Sequence, residues 1–257
     1  MTEDLSGREV PATTCIVVPC YNEEKRLRGA DFVDFIRKNS DIAFLFVNDG
    51  STDNTLELLQ ALCAGNQSRL FYLNLQPNVG KAEAVRQGLL ESINKVGVRF
   101  VGFWDADLAT PLNAIPTFIE AINESEIRTM VFGARVRLLG REIHRKSSRH
   151  YLGRVFATTV SVMLQLPVYD TQCGAKLFRV TPVLSQILAE PFLSRWIFDV
   201  EIIARLIRAE NGDRGKVAQE IVELPLTKWE DVAGSKVHPL DFLRALTEII
   251  AIWRRYL

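Results

Sequence analysis

The chain has 257 residues, 47% of them hydrophobic and 24% charged, enough to bury a sizeable core. Lys+Arg and Asp+Glu balance at 31 each, so no global positive charge points to nucleic acid. The first ten residues are charged and lack the apolar centre of a signal peptide, and the longest weakly polar run, ATTVSVMLQLPV, is about 12 residues where a membrane helix needs roughly 20, so the chain reads as soluble or peripheral.

Thr14–Pro19 is a β-branched run, expected to be a buried parallel strand. Residues 22–39 carry Leu27, Phe32, Phe35 and Ile36 at helical spacing. IAFLFVNDGS is a second strand meeting a turn, where Ser51 or Asp53 can cap the helix NTLELLQALCAG, which stops at Gly65. RLFYLNL is a third strand, GKAEAVRQGLLESINKV a third helix and VRFVGFWDAD a fourth strand. PLNAIPTFIEAINES follows as a helix with Pro111 near its first turn, then RTMVFGARV as a fifth strand. This alternation over residues 14–137 predicts an α/β fold with a mostly parallel sheet, wound by crossover helices, that binds ligands at the carboxyl ends of its strands. Three polar clusters fall at those ends: Tyr21-Asn22-Glu23, Asn48-Asp49-Gly50 and Asp105-Ala106-Asp107. Neither GxGxxG nor GxxxxGK[ST] occurs, which removes the dinucleotide and P-loop readings.

The rhythm changes after residue 140. A long helix over about 143–166 carries part of a basic run (Arg135, Arg137, Arg141, Arg145, Lys146, Arg149, Arg154, against Glu142), which is either a solvated face or a seat for an anion. DTQCGAKLFR reads as a loop entering a strand, FDVEIIARLIRAE as a helix, AQEIVELPLTKW as a strand and DVAGSKV as a loop. A final amphipathic helix has apolar residues at 243, 246, 249, 250, 253 and 257. No repeat or linker divides residues 1–257, so one domain is expected. Cys15, Cys20, Cys63 and Cys173 form no CxxC pair, and with His scarce they read as reduced thiols of a cytosolic protein rather than zinc ligands.

Asp105 and Asp107 pose the sharpest question. On an extended strand end, residues i and i+2 point to one side, and two carboxylates there repel unless a proton or cation lies between them. With phosphate oxygens they would complete the hard-oxygen shell that Mg²⁺ or Mn²⁺ favours; the plainer alternative is a cap on the following helix. Asp49 with Gly50 and Ser51 can equally be a capped turn. Tyr21, Asn22 and Glu23 offer a ring and hydrogen bonds to a nucleobase or ribose, or are simply loop residues.

VVPCYNEE, VNDGSTDNT, NVGKAEAVRQG and WDADLATP occur in the order and spacing of family-2 glycosyltransferases with the GT-A fold, and the chain resembles that family over about residues 14–257. GARV, DTQCGAKLF, RWIFDVEII and KWEDVAGSKV look like the dolichyl-phosphate glucosyltransferases, with the mannosyltransferases as near relatives. The resemblance implies a nucleotide-binding half at 14–137 and an acceptor half at 138–257 ending in the amphipathic helix. On the nucleotide side it implies Pro19, Tyr21, Asn22 and Glu23 at the base and ribose, Asp49 at the base or ribose, Lys81 near the nucleotide, and Asp105, Ala106 and Asp107 at the diphosphate. Asp105 and Asp107 would hold the divalent metal. On the acceptor side it implies Arg135 and Arg149 at the acceptor phosphate, with Gln172, Ser235 and Lys236 in acceptor loops. Ala109 stands where the mannosyl branch often has a polar residue, which fits the glucosyl branch, and Ala175 stands where that branch usually has an aromatic one. The N-terminal anchor of the eukaryotic glucosyltransferases is not expected in this chain.

The implied reaction is a single inverting displacement that moves glucose from UDP-glucose to a polyprenyl or dolichyl phosphate. A phosphate acceptor is already anionic and needs cations to place it rather than a strong base. A hydroxyl acceptor would require a carboxylate base, for which Asp199 is the candidate; Glu201, two residues along a helix, points elsewhere, and the alternative for either is a buried acid tying helix to loop. The last helix packs on the core or meets a membrane, with Trp253 and Tyr256 at the interface and Arg254 and Arg255 on headgroups, which places the protein at the cytoplasmic face of a membrane. The alternatives are GDP-mannose or another nucleotide sugar as donor, a glycan hydroxyl as acceptor, a nucleotidyltransferase, for which the glycine-rich basic loop after the first strand is missing, and a non-catalytic module, which need not keep Asp49, Asp105 and Asp107.

Overall fold

The computed structural model describes residues 12–95, 97–144, 147–230, 232 and 239–257. The first half alternates as the sequence predicts: β1 (Thr14–Cys20), α1 (Gly29–Lys38), β2 (Ile42–Asp49), α2 (Thr55–Ala64), β3 (Leu70–Leu75), α3 (Lys81–Ile93), β4 (Phe100–Trp104), α4 (Ile115–Asn123) and β5 (Met130–Ala134). A 3-10 turn, Leu112–Ala114, leads from Pro111 into α4. There follow β6 (Glu142–His144), α5 (Ser147–Leu164), β7 (Ala175–Arg179), α6 (Pro182–Leu188), α7 (Phe198–Ala209), α8 (Arg214–Glu220), β8 (Ile221–Pro225), β9 (Lys228–Glu230) and α9 (Pro239–Tyr256).

Seven strands form one sheet in the order β3-β2-β1-β4-β7-β5-β8. β1 pairs in parallel with β2 and β4, β2 with β3, and β5 with β8. β7 departs from the simple alternation and runs antiparallel between β4 and β5. It enters the sheet from the edge where β4 ends, so it runs down as β4 runs up, and antiparallel neighbours need no crossover helix. The loop before β7 is thereby held at the carboxyl ends of the parallel strands.

Side chains of β1 alternate between two cores, as the pleat requires. Cys15 and Val17 join Val85 and Leu89 of α3, Ile187 of α6 and Ile203 of α7 on one face; Ile16, Val18 and Cys20 join Phe32 of α1, Leu59 of α2 and Phe118 of α4 on the other. Helices therefore cover both faces, as expected. Phe32 meets Phe44 and Phe46 edge-on, each at 5.0 Å. All four cysteines are buried free thiols, and burial pushes Cys15 and Cys173 up to about 11.

Three expectations change. The helix placed at about 143 begins at Ser147, because residues 142–144 pair with β9 and bury Ile143 opposite Trp229. Ser51 is not the cap of α2: its Oγ accepts from Asn22 N, while Asp53 Oδ1 takes the Thr55 amide at 3.1 Å. Among the described side chains of α9, Ala245, Ile249 and Ile252 are buried and Ile250 and Trp253 are about half exposed, while the side chains of Leu243 and Leu246 lie outside the described residues. Tyr256 sets that rotation by turning inward, its hydroxyl donating to Glu201 Oε1 at 3.0 Å.

Candidate active site

The carboxyl ends of β1 and β2 lie side by side, with Cys20 opposite Asn48, and the segments after them are laced together. Asn22, held at φ +51°, donates its amide to Ser51 Oγ at 3.0 Å and accepts the Thr52 amide on Oδ1 at 2.8 Å. Glu23 is buried, its amide bonds Thr55 Oγ1 at 2.8 Å, and its carboxylate grips Arg26. Pro19 lies within β1 opposite Val47. Of the residues expected at a base and ribose, Tyr21 is the one that presents a large surface, 38% exposed.

Asp49 ends β2 and anchors the next loop. Its carboxylate accepts from Val79 N at 2.7 Å, Gly80 N at 3.0 Å and Asn78 Nδ2 at 2.9 Å. Gly50 turns there at φ +62°, and a Cβ on it would lie 2.6 Å from Asn78 N, so only glycine fits. The carboxylate expected at base or ribose also clasps the loop that leads to Lys81, the first residue of α3.

Lys81 Nζ lies 2.6 Å from Asp105 Oδ1. Burial, the largest influence on Lys81, acts to lower its pKa, and the combined pull of Asp105, Asp199 and Asp107 outweighs it, leaving the ammonium raised. Asp105 follows β4 directly; its amide donates to Gly174 O at 2.9 Å, and its carboxylate fills the space where a Gly174 side chain would begin. Asp107 Oδ1 accepts from Ala109 N at 3.0 Å, and burial followed by the Asp105 charge raises its carboxyl. Trp104 fixes this stretch from behind, donating Nε1–H to Thr110 O at 2.7 Å and meeting Phe118 edge-on. Neither aspartate caps the following helix, which starts without a side-chain cap. The capping alternative is thereby replaced by two carboxylates in want of positive charge, one of which has drawn a lysine.

Behind this pair lies a second. Lys176 is fully buried in β7, with Nζ 2.6 Å from Asp199 Oδ1, and it donates to Thr171 O at 2.9 Å and Cys173 O at 2.6 Å. The rings of Phe103 and Phe132 flank it at 5.1 and 4.9 Å. Asp199 is raised, chiefly by burial against the opposing pull of Lys176, and Gln172 Nε2 reaches its Oδ2 at 3.4 Å. Glu201 faces away from the crevice: it accepts from Leu193 N, Ser194 N, Arg205 and Tyr256. Arg135 forks onto Asp170, with Nε to Oδ2 and Nη2 to Oδ1 both at 2.7 Å, and that pairing raises its pKa against the effect of burial. Asp170 and Tyr169 are held in turn by Glu223. The side chain of Arg149 and all of Ser235 and Lys236 lie outside the described residues.

Residues 15–184 match the profile described as glycosyl transferase family 2. The chain belongs to that family. Among curated relatives of this family-2 chain, the dolichyl-phosphate beta-glucosyltransferase of Saccharomyces cerevisiae is 32% identical over 94% of the chain and 74% of its own length. The enzymes of the same name from Dictyostelium discoideum and Homo sapiens are 30% and 29% identical, over 94% of the chain and 74% and 75% of their own lengths. Among solved structures, glucosyl-3-phosphoglycerate synthase of Mycobacterium tuberculosis with Mn²⁺, UDP and its glucosylated product superposes with a TM-score of 0.63 at 18% identity, over 94% of this chain and 78% of that one, a likeness of fold.

Gly174 and Lys176 belong to this family-2 crevice although neither was singled out from the sequence. The signal for Lys176 is a lysine inside a strand otherwise apolar, which must find a carboxylate to be buried. Gly174 gives no such sign alone; its meaning is its distance from Asp105. A Cβ there would sit 1.9 Å from Asp105 Oδ2, so Gly174→Ala forces the carboxylate aside. Displacing a reacting group by about 1 Å can cost on the order of 10²-fold. Turnover of that variant is expected to fall by about that factor while its melting temperature stays within a few degrees; unchanged turnover would show that the Asp105 position is not used.

Proposed function

We propose that the chain moves glucose from UDP-glucose to a polyprenyl phosphate such as dolichyl phosphate in one inverting displacement, with residues 14–137 holding the donor and 138–257 the acceptor. The observation that carries this reading is the meeting of Asp105, Asp107 and Lys81 at the ends of parallel strands, the place where such sheets bind ligands. The glucosyltransferase relatives, 32% identical in the yeast case over nearly the whole chain, supply the substrate class.

The donor set fits a divalent cation. Asp105 Oδ1 is buried and takes no aligned hydrogen bond, meeting only an ammonium, and among the described residues no three acidic, His or Cys side chains converge to bind a metal unaided. Two carboxylates with diphosphate oxygens completing the shell match that pattern. A cation held by Asp105 and Asp107 would supply positive charge to the departing diphosphate. The Mycobacterium tuberculosis synthase that shares this fold was crystallised with Mn²⁺ and UDP. Lys81, already at this site, brings a further positive charge to the same oxygens. Asp199 turns Oδ1 onto the buried Lys176 at 2.6 Å and meets Gln172 Nε2 with Oδ2 at 3.4 Å, so both oxygens are already engaged within the protein and neither is free to reach a hydroxyl. That favours an acceptor that arrives as an anion.

Among the described residues no helix is long and apolar enough to cross a membrane. A lipid acceptor must still be met at a surface, and α9 offers Ile250 and Trp253 with exposed Arg254 and Arg255 beside them. Trp253→Ala is expected to lower co-sedimentation with anionic vesicles several-fold without changing UDP binding, and unchanged co-sedimentation would remove α9 from the membrane contact.

The test of the function is a donor screen with purified protein, Mn²⁺ or Mg²⁺ and a short polyprenyl phosphate. UDP-glucose is expected to give a lipid-linked, β-configured sugar. A product formed on a free sugar and not on the lipid phosphate would overturn the acceptor, and preference for GDP-mannose would overturn the donor.

A further inference from the structure

Arg195 lies in the segment between α6 and α7, outside every role assigned so far. Its side chain crosses the loop that opens α3: Cδ, Cγ and Nε come within 3.9, 4.0 and 4.0 Å of the point where a Gly80 Cβ would be. Lys81, the next residue, is the one that reaches Asp105. The backbone carrying Arg195 is built to stay put. Ser194 donates its amide to the buried Glu201 at 3.0 Å and its hydroxyl to Glu248 at 2.5 Å, and its Oγ accepts from Trp196 N and Ile197 N at 3.1 and 2.6 Å. Glu201 is itself clamped by Arg205 and Tyr256.

The charge balance around the crevice singles this arginine out. Lys81 is paired with Asp105, Lys176 with Asp199, Arg135 with Asp170, Arg86 with Glu83, Arg26 with Glu23 and Arg205 with Glu201. Among the described residues Arg195 has neither a carboxylate nor a hydrogen-bond acceptor, and it is exposed. A guanidinium on a rigid turn, left without a counter-ion beside a site for phosphates, is the arrangement that binds a phosphate through its planar fork. Its neighbours narrow the ligand further: Leu193 and Trp196 flank it at 51% and 40% exposure. A charged group between two exposed apolar side chains suits a phosphate that carries an apolar tail.

We propose that Arg195 is a phosphate-binding residue of this crevice, taking phosphate oxygens of a ligand that lies across Gly80 toward Lys81 and Asp105. This rests on the function proposed above. The acceptor's phosphate is the expected source, and the donor's diphosphate offers the same chemistry.

The experiment compares wild type, Arg195→Met and Arg195→Lys in the full chain. It reads UDP affinity by calorimetry with Mn²⁺, KM for a short polyprenyl phosphate, and melting temperature. In Arg195→Met the acceptor KM is expected to rise about 10–100-fold, the weight of a charged hydrogen-bonding pair, with UDP affinity within about twofold of wild type. Arg195→Lys should recover part of the loss, and the melting temperature should hold because the side chain is exposed. A matching loss of UDP affinity with KM for the acceptor unchanged keeps the phosphate role and assigns it to the donor. Unchanged affinity and KM in a wild type that binds UDP and glucosylates the lipid phosphate overturn the proposal. A wild type that does neither overturns the function instead; titration with inorganic pyrophosphate then decides Arg195, equal affinity of wild type and Arg195→Met counting against it.

Discussion

Asp105→Asn is expected to lower kcat by on the order of 10³-fold, because loss of positive charge at a departing diphosphate costs several kcal/mol in the transition state. The asparagine keeps the shape that packs over Gly174 and leaves the backbone bond to Gly174 O intact, so the change isolates charge from volume. It removes the partner of Lys81, whose raised pKa depends on the pull of Asp105 against burial. It also removes the like charge that, after burial, does most to raise Asp107. Folding should therefore be little affected: one ion pair is lost and one repulsion relieved. Mn²⁺ binding in the presence of UDP, read by calorimetry, should weaken together with kcat. Unchanged Mn²⁺ affinity and turnover would place the cation elsewhere and leave Asp105 as the structural partner of Lys81.

The parts of this site that the sequence makes legible are those written into a single strand end. VNDG and WDAD each put a carboxylate where a parallel strand stops, and alternation of strand and helix fixes that all such ends share an edge. Pairings between distant segments are not written locally. Arg135 in GARV resembles a phosphate-binding arginine, yet its fork is taken by Asp170, 35 residues on, and only the sheet brings them together. Asp199 and Glu201 look alike in FDVE, and the hundred-degree step of the helix sends one to Lys176 and the other to Arg205. Strand direction is equally silent, since a period of two is the same read upward or downward, so β7 could be recognised as a strand but not as the antiparallel insertion that carries Gly174 to Asp105. The inward face of α9 is not written locally either. Its apolar residues outnumber those one face can bury, and the Tyr256–Glu201 bond decides which of them turn inward.

Lys176→Met is expected to cost about 3–5 kcal/mol of stability, more than any other single change considered, because it leaves a carboxylate buried without its cation. Asp199 is 5% exposed and already raised by burial, with Lys176 the main force opposing that shift. Methionine fills a similar volume between Phe103 and Phe132, so the loss reports charge rather than a cavity. The double variant Lys176→Met, Asp199→Asn should recover a large part of the loss, since a neutral amide can be buried where an unpaired anion cannot. Recovery will be incomplete, because Lys176 also satisfies the carbonyls of Thr171 and Cys173, which neither new side chain can do. Those two carbonyls belong to the loop that leads into Gly174 beside Asp105. The double variant should therefore be stable and still catalytically impaired, its loop no longer pinned beneath the aspartate. Urea denaturation of the four proteins of the cycle gives the coupling energy directly. A single-variant loss below about 1 kcal/mol, the scale of a solvent-screened surface pair, would mean that the lysine and aspartate do not hold the crevice wall together.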